Sequence, residues 1–407
     1  MVINMKIINI EEDFHPLAGY QLNILAKYFA KMGHEVIIVT SEVEKMKPKF
    51  TNFFGKENLE QWDKEYENKY NVKILRRPVS GYFNKKNFYK LGIFKYIKTL
   101  MEIKKMKPDI LYVHGNEQTI SILSFLLYRY MNIPYITDDH MVAMALEGND
   151  RKRFFGMYKK IVAPILINNK ITDIRTQNED FVEKYLGIPL DQAPWISVGS
   201  DTMLFRRNCE VRRKFREDNN ISEDEFVVIY AGKLDWEKGG QLLADTFKKK
   251  IGTNGVTLIV VGNTNADEYG KKVENTFKSS QNKILRFPTQ TYEALAEFYQ
   301  ASDLAVFPRQ CSLSFYDVQA CGIPVVSEDN NINLDRLQFN NGLSFRAGDI
   351  NDFRSKITWI MKMSKEEYNK MSYSAENYVK ESYNYDSIAK EYMNEIMKSC
   401  ERFRKNG

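Results

Sequence analysis

Short apolar runs alternate with longer amphipathic stretches along most of the chain. In the first half, Lys6 to Ile10, Glu35 to Thr40, Ile110 to Val113, Tyr135 to Thr137 and Lys170 to Thr176 read as strands. In the second half the same holds for Phe226 to Ala231, Val256 to Val261, Ile284 to Phe287, Leu304 to Phe307 and the run that starts at Val325. Such runs lack polar alternation, as parallel strands do when helices cover both faces of a sheet. Helical spacing is predicted from about Tyr20 to Met32, Glu179 to Leu186, Tyr292 to Gln300 and Ser314 to Cys321, and continuously after Gly348-Asp349. Residues 41–81 are polar and irregular apart from a strand at Val72 to Leu75, and the charged stretch Arg206 to Glu225 reads as a linker and lead-in. The pattern is α/β, with one set of parallel strands in each half.

A length of 407 residues suits two domains, each able to bury its own core. No apolar run approaches the roughly 20 residues of a membrane span, and no signal peptide is evident at the start. Four cysteines, Cys209, Cys311, Cys321 and Cys400, form no CxxC pair, so neither a disulfide nor a zinc framework is expected and a reducing cytoplasm fits. The net charge of +6 is modest but unevenly placed. Residues 82–107 hold eight lysines against one acid, Glu102, interleaved with six Phe and Tyr; residues 151–160, RKRFFGMYKK, hold no acid at all. Basic-aromatic segments of this kind suit an anionic membrane surface, and equally a solvated helix packed on a sheet. Nucleic acid would be drawn to the same charges, but no recognition motif accompanies them and none is expected as a partner.

The chemistry concentrates at strand ends. His15, His114 and His140 each follow the carboxyl end of a predicted strand, where α/β sheets bind ligands, whereas His34 lies in a helix-to-strand turn on the other side. The strand ending at Ala231 leads into Gly232-Lys233-Leu234-Asp235-Trp236-Glu237-Lys238-Gly239-Gly240, two cations suited to a pair of phosphates. The stretch from Phe307 to Glu328, FPRQCSLSFYDVQACGIPVVSE, reads as strand end, loop, helix, strand. Its helix N-terminus opens at a strand's carboxyl end, a place that attracts phosphate. Gly322 can take the left-handed position that ends the helix, and Pro324 forbids its continuation.

The segment Ala320-Cys321-Gly322-Ile323-Pro324-Val325-Val326 resembles the donor-site segment of retaining glycosyltransferases of family 4. The resemblance extends to the loop around Gly19, to Trp195–Asp201, to Lys233 and Lys238, and to the tail around Tyr385–Ala389. It implies the GT-B fold: two Rossmann-like parallel-sheet domains facing across a cleft, with residues 1–205 on the acceptor side, 206–384 on the donor side, and a C-terminal helix, 385–407, that crosses back to the first domain. It implies a nucleotide-sugar donor, a glycan or lipid-linked acceptor, retention of configuration, and no cofactor or metal. By the same likeness Lys233 and Lys238 grip the diphosphate and His140 lies near the donor sugar, these three being the catalytic candidates. Gly19, Gly232, Ser312, Leu313 and Ser314 would approach the donor through backbone, Asp317 would bind the ribose, and Arg309 stands where the family has a glutamate. His15 and His114 are the acceptor-side candidates. Two alternatives stay open: a non-catalytic homologue that binds donor or partner, suggested by Arg309, and a sugar-nucleotide epimerase of the same fold, which would need an acid/base carboxylate that the sequence does not place.

Overall fold

The computed structural model describes residues 4–42, 59–77, 93–141, 149–309 and 313–406. They form two compact units, one running to Val198 and resuming at Asp386, the other spanning Gly199–Tyr385.

The first unit holds a six-stranded parallel sheet of β1 (Lys6–Ile10), β2 (Glu35–Ser41), β3 (Val72–Arg77), β4 (Ile110–Val113), β5 (Tyr135–Asp139) and β6 (Thr172–Arg175), in the order β3-β2-β1-β4-β5-β6. Ile8 pairs with Ile37 on one side and Leu111 on the other, which sets these apolar runs in register. Ile8, Ile10, Leu111 and Val113 are buried beneath Leu100, Ile103, Phe125 and Tyr158 from the covering helices. The final helix, Tyr385–Asn406, also packs on this unit: Gln21 Nε2 donates to Tyr392 Oη at 2.7 Å, and Phe403 meets Tyr128 edge-on.

The second unit repeats the plan with β7 (Val227–Ala231), β8 (Thr257–Val261), β9 (Lys283–Phe287), β10 (Leu304–Phe307), β11 (Val325–Glu328) and β12 (Gly342–Phe345), in the order β12-β11-β10-β7-β8-β9. Gly322 ends the helix Ser314–Ala320 at φ +72°, a left-handed conformation that glycine takes without strain. In both sheets the strand order reverses direction once, between β1 and β4 and between β7 and β10. Crevices at the carboxyl ends of such strands are where this class of fold binds ligands.

One expectation is overturned. The stretch read as a linker contains a helix, Cys209–Asp218. The Asn208 side chain caps it by accepting from the Glu210 and Val211 N–H groups, and Phe215 and Arg216 form its buried face. The region read as a helix from Glu179 is also shorter, a single π-helical turn at Val182–Leu186 closed by Gly187. Part of the first basic-aromatic segment, residues 82–92, lies outside the described residues, as does Ser312.

Candidate functional site

At the carboxyl end of β7 the loop to the helix Gly240–Lys248 is held from several sides. Tyr230 Oη donates to the Lys233 carbonyl at 2.5 Å, and the Lys238 N–H donates to Asp235 Oδ1 at 2.9 Å. Gly239 turns the chain at φ +73°. A Cβ on Gly240 would sit 2.7 Å from the Leu234 carbonyl oxygen, so a side chain there would push the loop apart. Lys233 is exposed and Lys238 half-buried on this frame. Gly232 donates its N–H to Val261 O, joining the loop to β8.

From β10, Arg309 reaches the same loop. Its Nη1 donates to the Trp236 carbonyl at 3.0 Å and its guanidinium lies 4.5 Å from the centre of the exposed Trp236 ring, a cation–π contact. Three cationic side chains thus belong to one loop cluster at the switch point of the second sheet. Leu313 and Ser314 open the helix that carries Asp317. Asp317 is buried, accepts from Tyr292 Oη at 3.3 Å, and its charge adds to burial in raising the phenol pKa values of Tyr292 and Tyr299.

In the first unit two of the three histidines meet on one carboxylate. Asp138, wholly buried, accepts at Oδ2 from Tyr112 Oη (2.7 Å) and lies 3.1 Å from His114 Nδ1 and 3.2 Å from His140 Nε2; its Oδ1 accepts from the Gly115 N–H at 2.8 Å. Burial alone would raise the Asp138 pKa, but the two rings outweigh it and hold the carboxyl well below its ordinary value. His140 is 41% exposed. Burial tends to lower its pKa, and Asp138, backed by Glu117 and Glu11, raises it overall. Around these lie Asp139 and Asp173, both pushed well up by burial and by neighbouring acids.

His15 sits apart. It is fully buried, its Nδ1 accepts from the Leu17 N–H at 3.2 Å, its ring tilts against Trp62, and burial with nearby Arg76 pushes its pKa down to about 4. Gly19 lies half-buried beyond the turn in which Ala18 N–H donates to His15 O, just before the helix Gln21–Lys31.

Asp138 was not singled out from sequence. The signal was present: residues i and i+2 of a strand point to one side, so Asp138 and His140 at the end of β5 belong together. Among the described residues, no group of three or more His, Cys, Asp or Glu could hold a metal ion, and no helix is long and apolar enough to cross a membrane.

Comparison with known proteins fits this layout. Residues 211–378 match the family model "Glycosyl transferases group 1". A lipopolysaccharide 1,2-N-acetylglucosaminetransferase of Salmonella typhimurium is 30% identical over 118 residues, covering 27% of this chain and 30% of the relative. A D-inositol 3-phosphate glycosyltransferase of Pseudarthrobacter chlorophenolicus is 21% identical over 57% of this chain and 58% of its own. The chain therefore matches less than two thirds of the length of either relative. Among solved structures, Anabaena HepE in complex with UDP and glucose superposes with a TM-score of 0.74 at 14% identity, covering 97% of this chain and all of the other. The chain carries a glycosyl transferases group 1 domain at residues 211–378, on a GT-B fold of two Rossmann-like units.

Proposed function

We propose that this protein is a retaining glycosyltransferase that moves a sugar from a nucleotide-sugar donor to a glycan or lipid-linked acceptor. The observation that carries the reading is the Lys233–Lys238 loop, braced by Tyr230, Asp235 and Arg309 within the matched domain. When the sugar leaves, negative charge grows on the nucleoside diphosphate. Lys233 and Lys238 offset it, with Arg309 as a third cation, and preorganised charges of this kind lower the barrier without a metal. The N–H groups around Leu313 and Ser314 add to the phosphate site. Asp317 takes a ribose hydroxyl in exchange for the Tyr292 hydroxyl it now accepts. His140 acts in the transfer step. His114, with both ring nitrogens facing Asp138 and Asn9, contributes through that network. The UDP and glucose in the HepE complex support a nucleotide-sugar donor here.

The test is release of nucleoside diphosphate from a panel of UDP-, GDP- and ADP-sugars, preceded by a thermal-stabilisation screen of the same panel, since a ligand bound to the folded state raises Tm. Stabilisation without turnover under any acceptor condition would favour the binding homologue, for which Arg309 is the argument. Formation of an epimerised sugar nucleotide would favour the epimerase.

The acceptor is proposed to be presented at an anionic membrane on the cytosolic side. Exposed Met101, Met157 and Ile161 are interspersed with exposed Lys98, Lys105, Lys152, Arg153, Lys159 and Lys160 on the helices Ile93–Lys105 and Asn149–Ile161. The Salmonella relative, by its name, acts on lipopolysaccharide. Each such cation is worth about 1 kcal/mol at an anionic surface. Sedimentation with anionic liposomes should therefore exceed that with neutral ones and fade as salt is raised. Equal partitioning, or none, would make a soluble acceptor the better reading.

A further inference from the structure

The three hydrogen-bonding directions around His140 and Asp138 decide where a proton resides. Thr176 Oγ1 donates its only proton to the Asp139 carbonyl at 2.8 Å. Facing His140 Nδ1 at 3.4 Å, the same hydroxyl can therefore only accept, and Nδ1 must carry hydrogen. On the other side of the ring, Nε2 faces Asp138 Oδ2 at 3.2 Å. That carboxylate already accepts from Tyr112 Oη and the Gly115 N–H and lies against His114, the arrangement of an ionised group surrounded by donors. Nε2 then carries hydrogen as well.

A buried carboxylate needs a compensating charge, and among the described residues the two imidazoles are its ion-pair partners. They are not equivalent. The second nitrogen of His114 lies 3.3 Å from the side-chain amide of Asn9, which can donate or accept according to which way it is turned, so His114 is satisfied when neutral. A neutral His140 would set a bare nitrogen against the Thr176 hydroxyl lone pair in one tautomer or against the Asp138 carboxylate in the other. The other ionisable groups around the ring reinforce this choice. Glu11 beyond β1 and Glu117 beyond β4 favour a cation although burial raises their own pKa values, and Asp139 on β5, Asp173 on β6 and the Tyr158 phenol from the covering helix are likewise held toward their neutral forms.

We propose that Asp138 is a positioning residue that, with Thr176, locks His140 as a doubly protonated ring, so that His140 offers a bound substrate a fixed positive charge and takes no proton from it. Both nitrogens are engaged, and what the ring exposes is its face and its C–H edge, which suit an anionic or electron-rich substrate group. That the substrate is a nucleotide sugar rests on the function proposed above; the charge state does not.

The experiment is ¹⁵N NMR of the full chain labelled at histidine, with the His140 signals identified by their loss in His140→Gln. His140 should show both ring nitrogens protonated and titrate above the value of about 6.5 for a free histidine. Asp138→Asn should move that titration to lower pH. Thr176→Val, a gentler change that keeps the carboxylate, should move it the same way and serves if Asp138→Asn does not fold. A neutral His140 ring in the wild type near pH 6.5, or a titration that neither variant moves, overturns the assignment. In turnover assays Asp138→Asn should lose up to about 100-fold in kcat, as for other losses of a preorganised charge, at the highest pH at which the wild-type ring is still protonated by NMR, with donor KM little changed, and recover as the pH is lowered and the ring recharges. A pH-independent loss would mean that Asp138 is merely structural. A protonated His140 in a protein that turns over no donor would sink the proposed function and leave this inference standing.

Discussion

Replacing Lys238 or Lys233 by alanine is expected to cut turnover by on the order of 100-fold while leaving the fold intact. The contacts that frame their loop run through backbone groups and neighbouring side chains. The Lys233 carbonyl is held by Tyr230, the Lys238 N–H by Asp235, and the turn by Gly239 and the close approach of Gly240 to Leu234. An alanine at either position keeps each of these backbone contacts. What is lost is positive charge at the place where the leaving diphosphate becomes more negative. Such a loss acts on the transition state more than on the bound donor, so kcat should fall further than KM rises. Lysine lacks the bidentate fork of arginine and acts here as a point charge. Lys233→Arg should therefore retain much of the activity that Lys233→Ala loses. Initial rates of nucleoside diphosphate release, with melting curves as the control for folding, make the comparison. Wild-type kinetics in either alanine variant would remove the diphosphate assignment.

The strands were legible because parallel strands covered on both faces are uninterrupted apolar runs, and the structure places all eleven predicted strands in two sheets at nearly the predicted ends. What sequence reading missed depends on contacts distant along the chain. The helix Cys209–Asp218 has seven charged residues in ten, and only Val211 and Phe215 suggest a stripe, so it reads as solvated. Its packed face is completed by Arg216, buried against Asp303, 87 residues away. Site residues divided in the same way. The lysine loop was visible in one contiguous stretch. The Asp138 network required knowing that β4 and β5 are neighbours, which brings His114 beside Asp138, and that Thr176 beyond β6 faces His140.

That long-range pair sets the second large effect. Asp303→Ala is expected to destabilise the second unit by about 3–5 kcal/mol, because it removes one partner of a buried ion pair. Asp303 Oδ2 accepts from Arg216 Nη2 and from the Val227 N–H, each at 2.8 Å, and Oδ1 accepts from Arg212 Nη2 at 2.7 Å. Arg216 is wholly buried, and its other donors go to the carbonyls of Ala301, Ser222, Glu223 and Glu225. With the carboxylate gone, a guanidinium that cannot lose its proton is left in the interior with only neutral acceptors. Arg212, partly exposed, can turn to water, so Arg212→Ala should cost much less. The damage would reach the site by a short route. Val227 begins β7, which ends at the lysine loop, and Asp303 directly precedes β10, which leads to Arg309. Denaturant unfolding measures the effect, and because the chain has two compact units, the transition belonging to the second should move while that of the first stays in place. A loss below about 1 kcal/mol would be the cost of a surface pair, and would mean that the carbonyl cage alone compensates Arg216.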